Sequence, residues 1–139
     1  MMQITIKYDN AANRIRVYHE GECVEAVVPE RIYGGLYGEN WMFWNGKYIR
    51  LKILLEYLVN ELYPVKSPVY MPEDKDRKFD HTCIVKYNDG SMTFDLDGDE
   101  SSIPSLLPAD ETYTDFGFSR LSPDCVRVLR LLVANIPVS

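Results

Sequence analysis

Apolar and polar residues alternate with a period of two along the first part of the chain. Such alternation predicts β-strands, because successive side chains of a strand point to opposite faces of the sheet. The pattern places strands at residues 2–8, 14–18 and 23–28, with short runs of turn residues between them. We therefore expect the chain to begin with an antiparallel meander.

The next stretch contains a hairpin signal followed by a helix signal. Asn45-Gly46 separates Trp41–Trp44 from Lys47–Ile49, and Asn-Gly favours the type I′ turn of a tight hairpin. From about Leu51 to Tyr63 the spacing changes to that of a helix, which Pro64 ends. One face of this helix carries Leu51, Leu54, Leu55, Leu58 and Leu62.

In the second half of the chain, a predicted hairpin is again followed by a predicted helix. Strands are predicted at 81–87 and 91–96 around Asn88-Asp89-Gly90, and residues 97–117 are predicted to be a loop. Ser122-Pro123 supplies the N-cap and first position of a last helix. That helix is apolar around most of its circumference, and its polar stripe is formed by Arg127 and Arg130.

These elements predict an α+β fold. A chain of 139 residues suits a single domain, 1–139, with one core. We expect a mainly antiparallel sheet, a meander plus hairpins, of about five to seven strands, with two helices packed on one face. The residues predicted to share the core are Leu54, Leu55, Leu58, Leu62, Val128, Leu129 and Leu132.

Charge is distributed unevenly along the chain. Residues 1–68 carry as many Lys and Arg as Asp and Glu, so residues 69–139 hold the entire net charge of −6. No basic residue lies between Lys86 and Arg120, an interval with eight acids. A one-sided acidic field attracts basic partners and repels nucleic acid phosphates. We therefore predict no direct binding of nucleic acid.

The cysteines and the lengths of the apolar runs indicate where in the cell the protein is expected. Cys23, Cys83 and Cys125 are an odd number without framework spacing, which favours reduced thiols in a cytoplasm. The apolar runs are too short to span a bilayer, and the N-terminus has no signal-peptide pattern. We expect a cytoplasmic protein that does not bind membranes.

Three patterns in the sequence point toward metal binding or catalysis, and each is incomplete. The run from Asp95 to Glu100 resembles the start of a calcium loop, but the required Gly and bidentate Glu are missing. His19, Cys23, His81 and Cys83 could supply a Cys2His2 set, but the usual spacing of zinc-binding cysteines is missing. Cys125 lies near a helix N-terminus, which favours a thiolate, but no histidine is brought to it by the sequence. We predict no metal, no cofactor and no catalytic residue.

An aromatic-rich segment precedes the first helix. Trp41 and Phe43 share one face of the predicted hairpin and are expected in the core. Tyr33, Tyr37 and Trp44 are better candidates for an exposed contact patch, because Tyr and Trp are favoured at binding hot spots.

The leading hypothesis is a small acidic domain that binds and inhibits a basic, nucleic-acid-handling protein. Phage proteins directed against host defence nucleases, and immunity proteins against nuclease toxins, have this general size and charge. One alternative is a ligand- or nucleotide-binding domain that uses the Gly/Tyr-rich segment and Trp44. Another is a small enzyme with a carboxylate or Cys-His site. The predicted partner-binding residues are Asp95, Asp97, Asp99, Glu100, Asp110, Glu111, Tyr33, Tyr37 and Trp44.

Overall fold

The computed structural model describes residues 1–9, 14–27, 46–61, 79–109 and 121–136. Helix α1 (Gly46–Glu56) continues into a π-helical segment (Tyr57–Glu61), and helix α2 covers Pro123–Asn135. The strands within this part of the chain are β1 (Met2–Asp9), β2 (Arg14–His19), β3 (Glu22–Val27), β4 (His81–Asn88), β5 (Ser91–Leu96) and β6 (Asp99–Ile103).

The described strands form one antiparallel sheet in the order β3-β2-β1-β4-β5-β6. Strand β1 lies inside the sheet, where it pairs with β2 on one side and β4 on the other. Ile6 opposes Val17 on β2 and Cys83 on β4, so the alternation in each strand brings its apolar residues to the same face. All three of these side chains are fully buried.

Three of the connections between strands are two-residue turns that end in glycine. Their residues are Glu20-Gly21, Asp89-Gly90 and Asp97-Gly98, and all six have positive φ. Two successive positive φ values define the type I′ turn, whose twist matches that of the paired strands. The sequence predicted turns at the first two positions. The third turn shows that residues 97–117 are not a loop throughout, because β6 begins at Asp99.

Both helices contribute to one core with the sheet, and the predicted fold class is confirmed. The core-facing residues of the strands and of both helices belong to a single buried cluster. Leu62, which was also predicted in the core, lies outside the described residues. The predicted core residues found in the cluster are Leu54, Leu55, Leu58, Val128, Leu129 and Leu132.

The hairpin predicted around Asn45-Gly46 is wrong in its second strand. Residues 46–49 form the first turn of α1 instead of a strand. This helical start buries Ile49 and Leu51 in the same core as Leu54. The burial of these side chains outweighs the local preference of Asn-Gly for a turn. Trp41 and Phe43, the core residues predicted in the first strand of that hairpin, lie outside the described part of the chain.

Two basic side chains join the helices to each other. Lys52 of α1 donates a hydrogen bond from Nζ to the carbonyl of Val133 in the last turn of α2 (3.1 Å). Arg130 of α2 donates from Nη2 to the carbonyl of Val59 in the π-helical segment (3.1 Å). Carbonyls near a helix C-terminus lack partners within the helix and attract cations. Each helix therefore supplies a donor to the end of the other.

The structure of α2 corrects the predicted polar stripe and confirms the predicted N-cap. Arg130 is buried and is not part of a polar stripe, whereas Arg127 is half-exposed beside Asp124. Ser122 is the N-cap of α2, since its Oγ accepts a hydrogen bond from the Cys125 amide (3.1 Å).

Neither of the described helices, nor the π-helical segment, is both long and apolar enough for a membrane crossing.

Candidate functional site

The acidic run from Asp95 to Glu100 forms the end of the β5–β6 hairpin. Its turn residues are Asp97, with φ 55°, and Gly98, with φ 93°. Asp tolerates this left-handed conformation better than most residues, and Gly adopts it without strain. The run is therefore a tight turn instead of a loop that wraps a cation. Among the described residues, no group of three or more His, Cys, Asp and Glu side chains is arranged to hold a metal ion.

The carboxylate of Asp97 attaches this turn to the start of β4. Its Oδ1 accepts a hydrogen bond from the Thr82 amide (2.9 Å), and its Oδ2 lies 2.5 Å from Nδ1 of His81. The main chain adds a third bond, from the Asp97 amide to the Thr82 carbonyl (3.0 Å). The side chains of His81 and Asp97 are only 17% and 25% exposed. Asp97 therefore has a structural role, whatever it contributes to binding.

Asp95 also makes a hydrogen bond within the hairpin. Its Oδ1 accepts a bond from the Gly98 amide (2.7 Å), which stabilises the turn from the inside. Asp99 and Glu100 lie at the start of β6, and both are exposed. The structure thus divides the four predicted acids into two that shape the hairpin and two that face solvent.

The sheet register places two like charges opposite each other. Asp95 on β5 is the direct cross-strand neighbour of Glu100 on β6. Directly opposed residues of an antiparallel pair have Cβ atoms about 4.5–5.5 Å apart, and two like charges in this position destabilise the pair. A cation placed next to Glu100 would relieve this repulsion.

A layer of uncharged groups lies beneath the hairpin. The ring of Tyr8 packs against that of His81, with centroids 4.7 Å apart. Burial raises the pKa of the Tyr8 phenol, and the charge of Asp97 raises it further. Burial likewise raises the pKa of the Cys83 thiol to about 12, with added contributions from Asp95 and Asp97. Both groups are neutral at physiological pH.

This layer does not support the predicted alternative of a Cys-His nucleophile. A histidine hydrogen-bonded to a carboxylate has the geometry of an oriented general base, but the thiol on the same strand face, Cys83, is held protonated. Cys125, the candidate near a helix N-terminus, has its pKa raised to about 12 by burial and by Glu20. Desolvation outweighs the helix dipole at this position.

The four candidate zinc ligands do not form one site. His81 pairs with Tyr8 of β1, whereas Tyr18, the neighbour of His19, pairs with Thr5. At about 3.3 Å per residue, this separates the two histidines by roughly 13 Å along the sheet.

A charged cluster on the opposite face of the sheet was not anticipated from the sequence. Arg16 is 0% exposed, and both its Nε and its Nη2 contact Oε1 of Glu25 (2.7 and 2.5 Å). Its guanidinium also lies 5.0 Å from the ring centroid of Phe79. The two-residue turn at Glu20-Gly21 fixes the register that sets Arg16 opposite Glu25, so this pair was predictable once that turn was taken as type I′.

Burial and hydrogen bonding act in opposite directions on Arg16. Burial disfavours its charge, but the hydrogen bonds to Tyr18 and Glu25 outweigh that effect and raise the pKa. The same carboxylate reaches Arg14, whose Nη1 lies 3.5 Å from Oε2 of Glu25. The charges of Arg14 and Arg16 are thus paired with Glu25 inside the protein.

Five of the predicted partner-binding residues lie outside the described part of the chain: Tyr33, Tyr37, Trp44, Asp110 and Glu111. The described part of the predicted site is therefore the β5–β6 hairpin. No protein-family model, curated protein or solved structure matches this chain.

Proposed function

We propose that this chain is a small acidic protein-binding domain that inhibits a basic, nucleic-acid-handling protein. The observation that carries the proposal is the β5–β6 hairpin, which presents exposed Asp99 and Glu100 from a turn fixed by Asp95 and Asp97. Asp110 and Glu111 follow in the same stretch without basic residues and are proposed as part of the surface. Antagonists of defence or toxin nucleases act on targets of this kind.

The hydrogen bonds that shape the hairpin support this function. A binding surface that is already ordered loses little conformational entropy on association, and this improves affinity without adding contacts. The bonds from Asp97 to Thr82 and from Gly98 to Asp95 hold the turn in place before a partner arrives. The exposed carboxylates can then act mainly by electrostatic steering, which raises the association rate.

The aromatic residues Tyr33, Tyr37 and Trp44 are proposed as anchors of the same interface. This part of the proposal rests on the sequence, because large aromatic side chains commonly dominate binding energy. Their loss is expected to raise the dissociation rate more than it lowers the association rate. The three buried free cysteines fit a reducing compartment, so we propose that the complex forms in the cytoplasm.

The test is a kinetic comparison of two variants with the same change in net charge. The partner is first captured from a lysate of the source cell with the immobilised wild-type protein. Its association is then measured by surface plasmon resonance with Asp99→Asn/Glu100→Gln and with the control Glu20→Gln/Asp89→Asn, at several salt concentrations. The control residues lie in two turns at the other end of the sheet.

We expect the Asp99/Glu100 variant to associate several-fold more slowly than the wild type and to depend less on salt. The control variant is expected to stay close to the wild-type rate. Equal slowing of both variants would mean that only net charge matters, and unchanged kinetics of both would leave the acidic tract as a solubilising segment. Either result would refute the proposed binding surface.

A further inference from the structure

Strand β6 is an exposed edge of the described sheet. In the part of the chain that the structure describes, it pairs with β5 and has no strand on its other side. Strand β3, at the opposite edge, is largely buried, as shown by Cys23, Val24 and Ala26. Strand β6 instead has its second and fourth residues, Glu100 and Ser102, exposed.

The turn determines which backbone groups of β6 point away from β5. A two-residue turn is closed by a hydrogen bond between the flanking residues, here Leu96 and Asp99. Residue pairs of an antiparallel ladder alternate between bonded and non-bonded, so Glu100 and Ser102 occupy non-bonded positions opposite Asp95 and Thr93. Their N–H and C=O groups therefore project outward from the sheet edge.

Charge at this edge favours one kind of incoming strand. Glu100 lies opposite Asp95, and this repulsion would be relieved by a Lys or Arg placed beside Glu100 on the outer side. A second copy of the same acidic edge would add to the repulsion, which is a common protection against pairing between edge strands. The edge thus disfavours self-association and favours a basic segment.

We propose that β6 binds an extended basic segment of the partner protein as an additional strand. This inference rests on the proposed function and specifies how the partner is held. The outward backbone groups of Glu100 and Ser102 would bond the main chain of the segment, as in other cases of strand addition. A Lys or Arg beside Glu100 would supply charge selectivity, and the small side chain of Ser102 leaves room for the next residue on that face.

The direct test uses two synthetic peptides as probes. One is an acetylated and amidated hexapeptide of alternating lysine and valine, and the other has glutamate in place of lysine. Each is titrated to millimolar concentration into ¹⁵N-labelled wild-type protein. We expect the lysine peptide to shift the amide signals of Glu100 and Ser102 and to slow their hydrogen exchange about tenfold, and the glutamate peptide to do neither. Shifts confined to another surface, or unchanged exchange at β6, would overturn the proposal.

A backbone variant separates strand addition from simple charge attraction. Ser102→Pro removes one outward N–H while keeping every acid, and proline is tolerated at edge positions whose N–H faces solvent. We expect this variant to bind both the lysine peptide and the captured partner about tenfold more weakly, as for the loss of about 1.4 kcal/mol. Unchanged β5 amide signals would show that the hairpin is intact.

The combined results distinguish the two proposals. If Ser102→Pro binds like the wild type while Asp99→Asn/Glu100→Gln associates slowly, the acidic surface is correct and strand addition is wrong. If neither variant differs from the wild type, both are wrong. Should Ser102→Pro disturb β5, the peptide-induced exchange protection in the wild-type protein decides the question by itself.

Discussion

Replacing Asp97 by alanine is expected to destabilise the protein strongly for a single substitution at a turn. The change removes the hydrogen bonds to the Thr82 amide (2.9 Å) and to His81 (2.5 Å). It also leaves an alanine at a φ of 55°. At about 1 kcal/mol for each of the two bonds and about 1 kcal/mol for the left-handed conformation, the free energy of unfolding should fall by roughly 3 kcal/mol.

Asp89→Ala is a matched control for this experiment. Asp89 precedes glycine in the β4–β5 turn and has a φ of 42°, so its replacement introduces the same backbone strain without removing the bonds that Asp97 makes to β4. We expect it to cost about 1 kcal/mol. Asp97→Asn should also cost about 1 kcal/mol, because asparagine tolerates the left-handed region and can still accept from the Thr82 amide.

Urea denaturation of the wild type and the three variants measures these differences. Hydrogen exchange at the Thr82 amide provides a local readout, and exchange is expected to speed up most in Asp97→Ala. If Asp97→Ala and Asp89→Ala cost the same, the attachment of the turn to β4 contributes no stability and the reasoning is wrong. The result also matters for binding studies, because replacing all four acids Asp95, Asp97, Asp99 and Glu100 would combine a folding defect with a binding defect.

Two further predictions concern the core and its thiols. Leu58 is fully buried, so Leu58→Ala should lower the free energy of unfolding by roughly 2–5 kcal/mol, and a wild-type denaturation curve would contradict this. Burial raises the pKa of the Cys83 and Cys125 thiols from 9.0 to about 12, so the unfolded chain loses these protons first and stability should fall as pH rises from about 9 toward 12. The slope of the free energy of unfolding against pH should approach about 1.4 kcal/mol per pH unit for each thiol. In urea denaturation at several pH values, Cys125→Ala should show a shallower slope than the wild type. An unchanged slope would contradict the raised thiol pKa.

Period-two alternation was sufficient to predict the strands that have one buried face. Strands β1, β4 and β5 bury every second residue, and burial of one face is what selects that pattern in a sequence. Strand β6 is different, because its residues are polar or acidic except for Ile103. Its presence was nevertheless signalled by Asp97-Gly98, the same Asp-Gly pair that closes the β4–β5 hairpin.

The same type of turn signal was misleading at Asn45-Gly46. Residues 47–49 have apolar character that fits either a short strand or the first turn of a helix, and periodicity cannot separate the two over three residues. Burial in the core favours the helix, because α1 buries Ile49 and Ile53 as well as the predicted leucines. Information of this kind depends on the whole sheet and is not contained in the local sequence.

The burial of Arg130 was the least predictable feature. Arg130 donates a hydrogen bond to the Val59 carbonyl, which is 71 positions away in sequence. Helical periodicity alone assigns such a residue to a solvent-facing stripe, because charged side chains are rarely buried without a partner. Only the packing of α2 against the end of α1 supplies that partner.

The division of labour among the hairpin acids has a consequence for the proposed site. Composition treats Asp95, Asp97, Asp99 and Glu100 as one acidic cluster, but two of these carboxylates are committed to hydrogen bonds that form the turn. The acids proposed to face a partner are therefore the exposed Asp99 and Glu100 at the start of β6. That is also where the outward backbone groups begin, so steering by charge and capture by main-chain hydrogen bonds would act on the same edge strand.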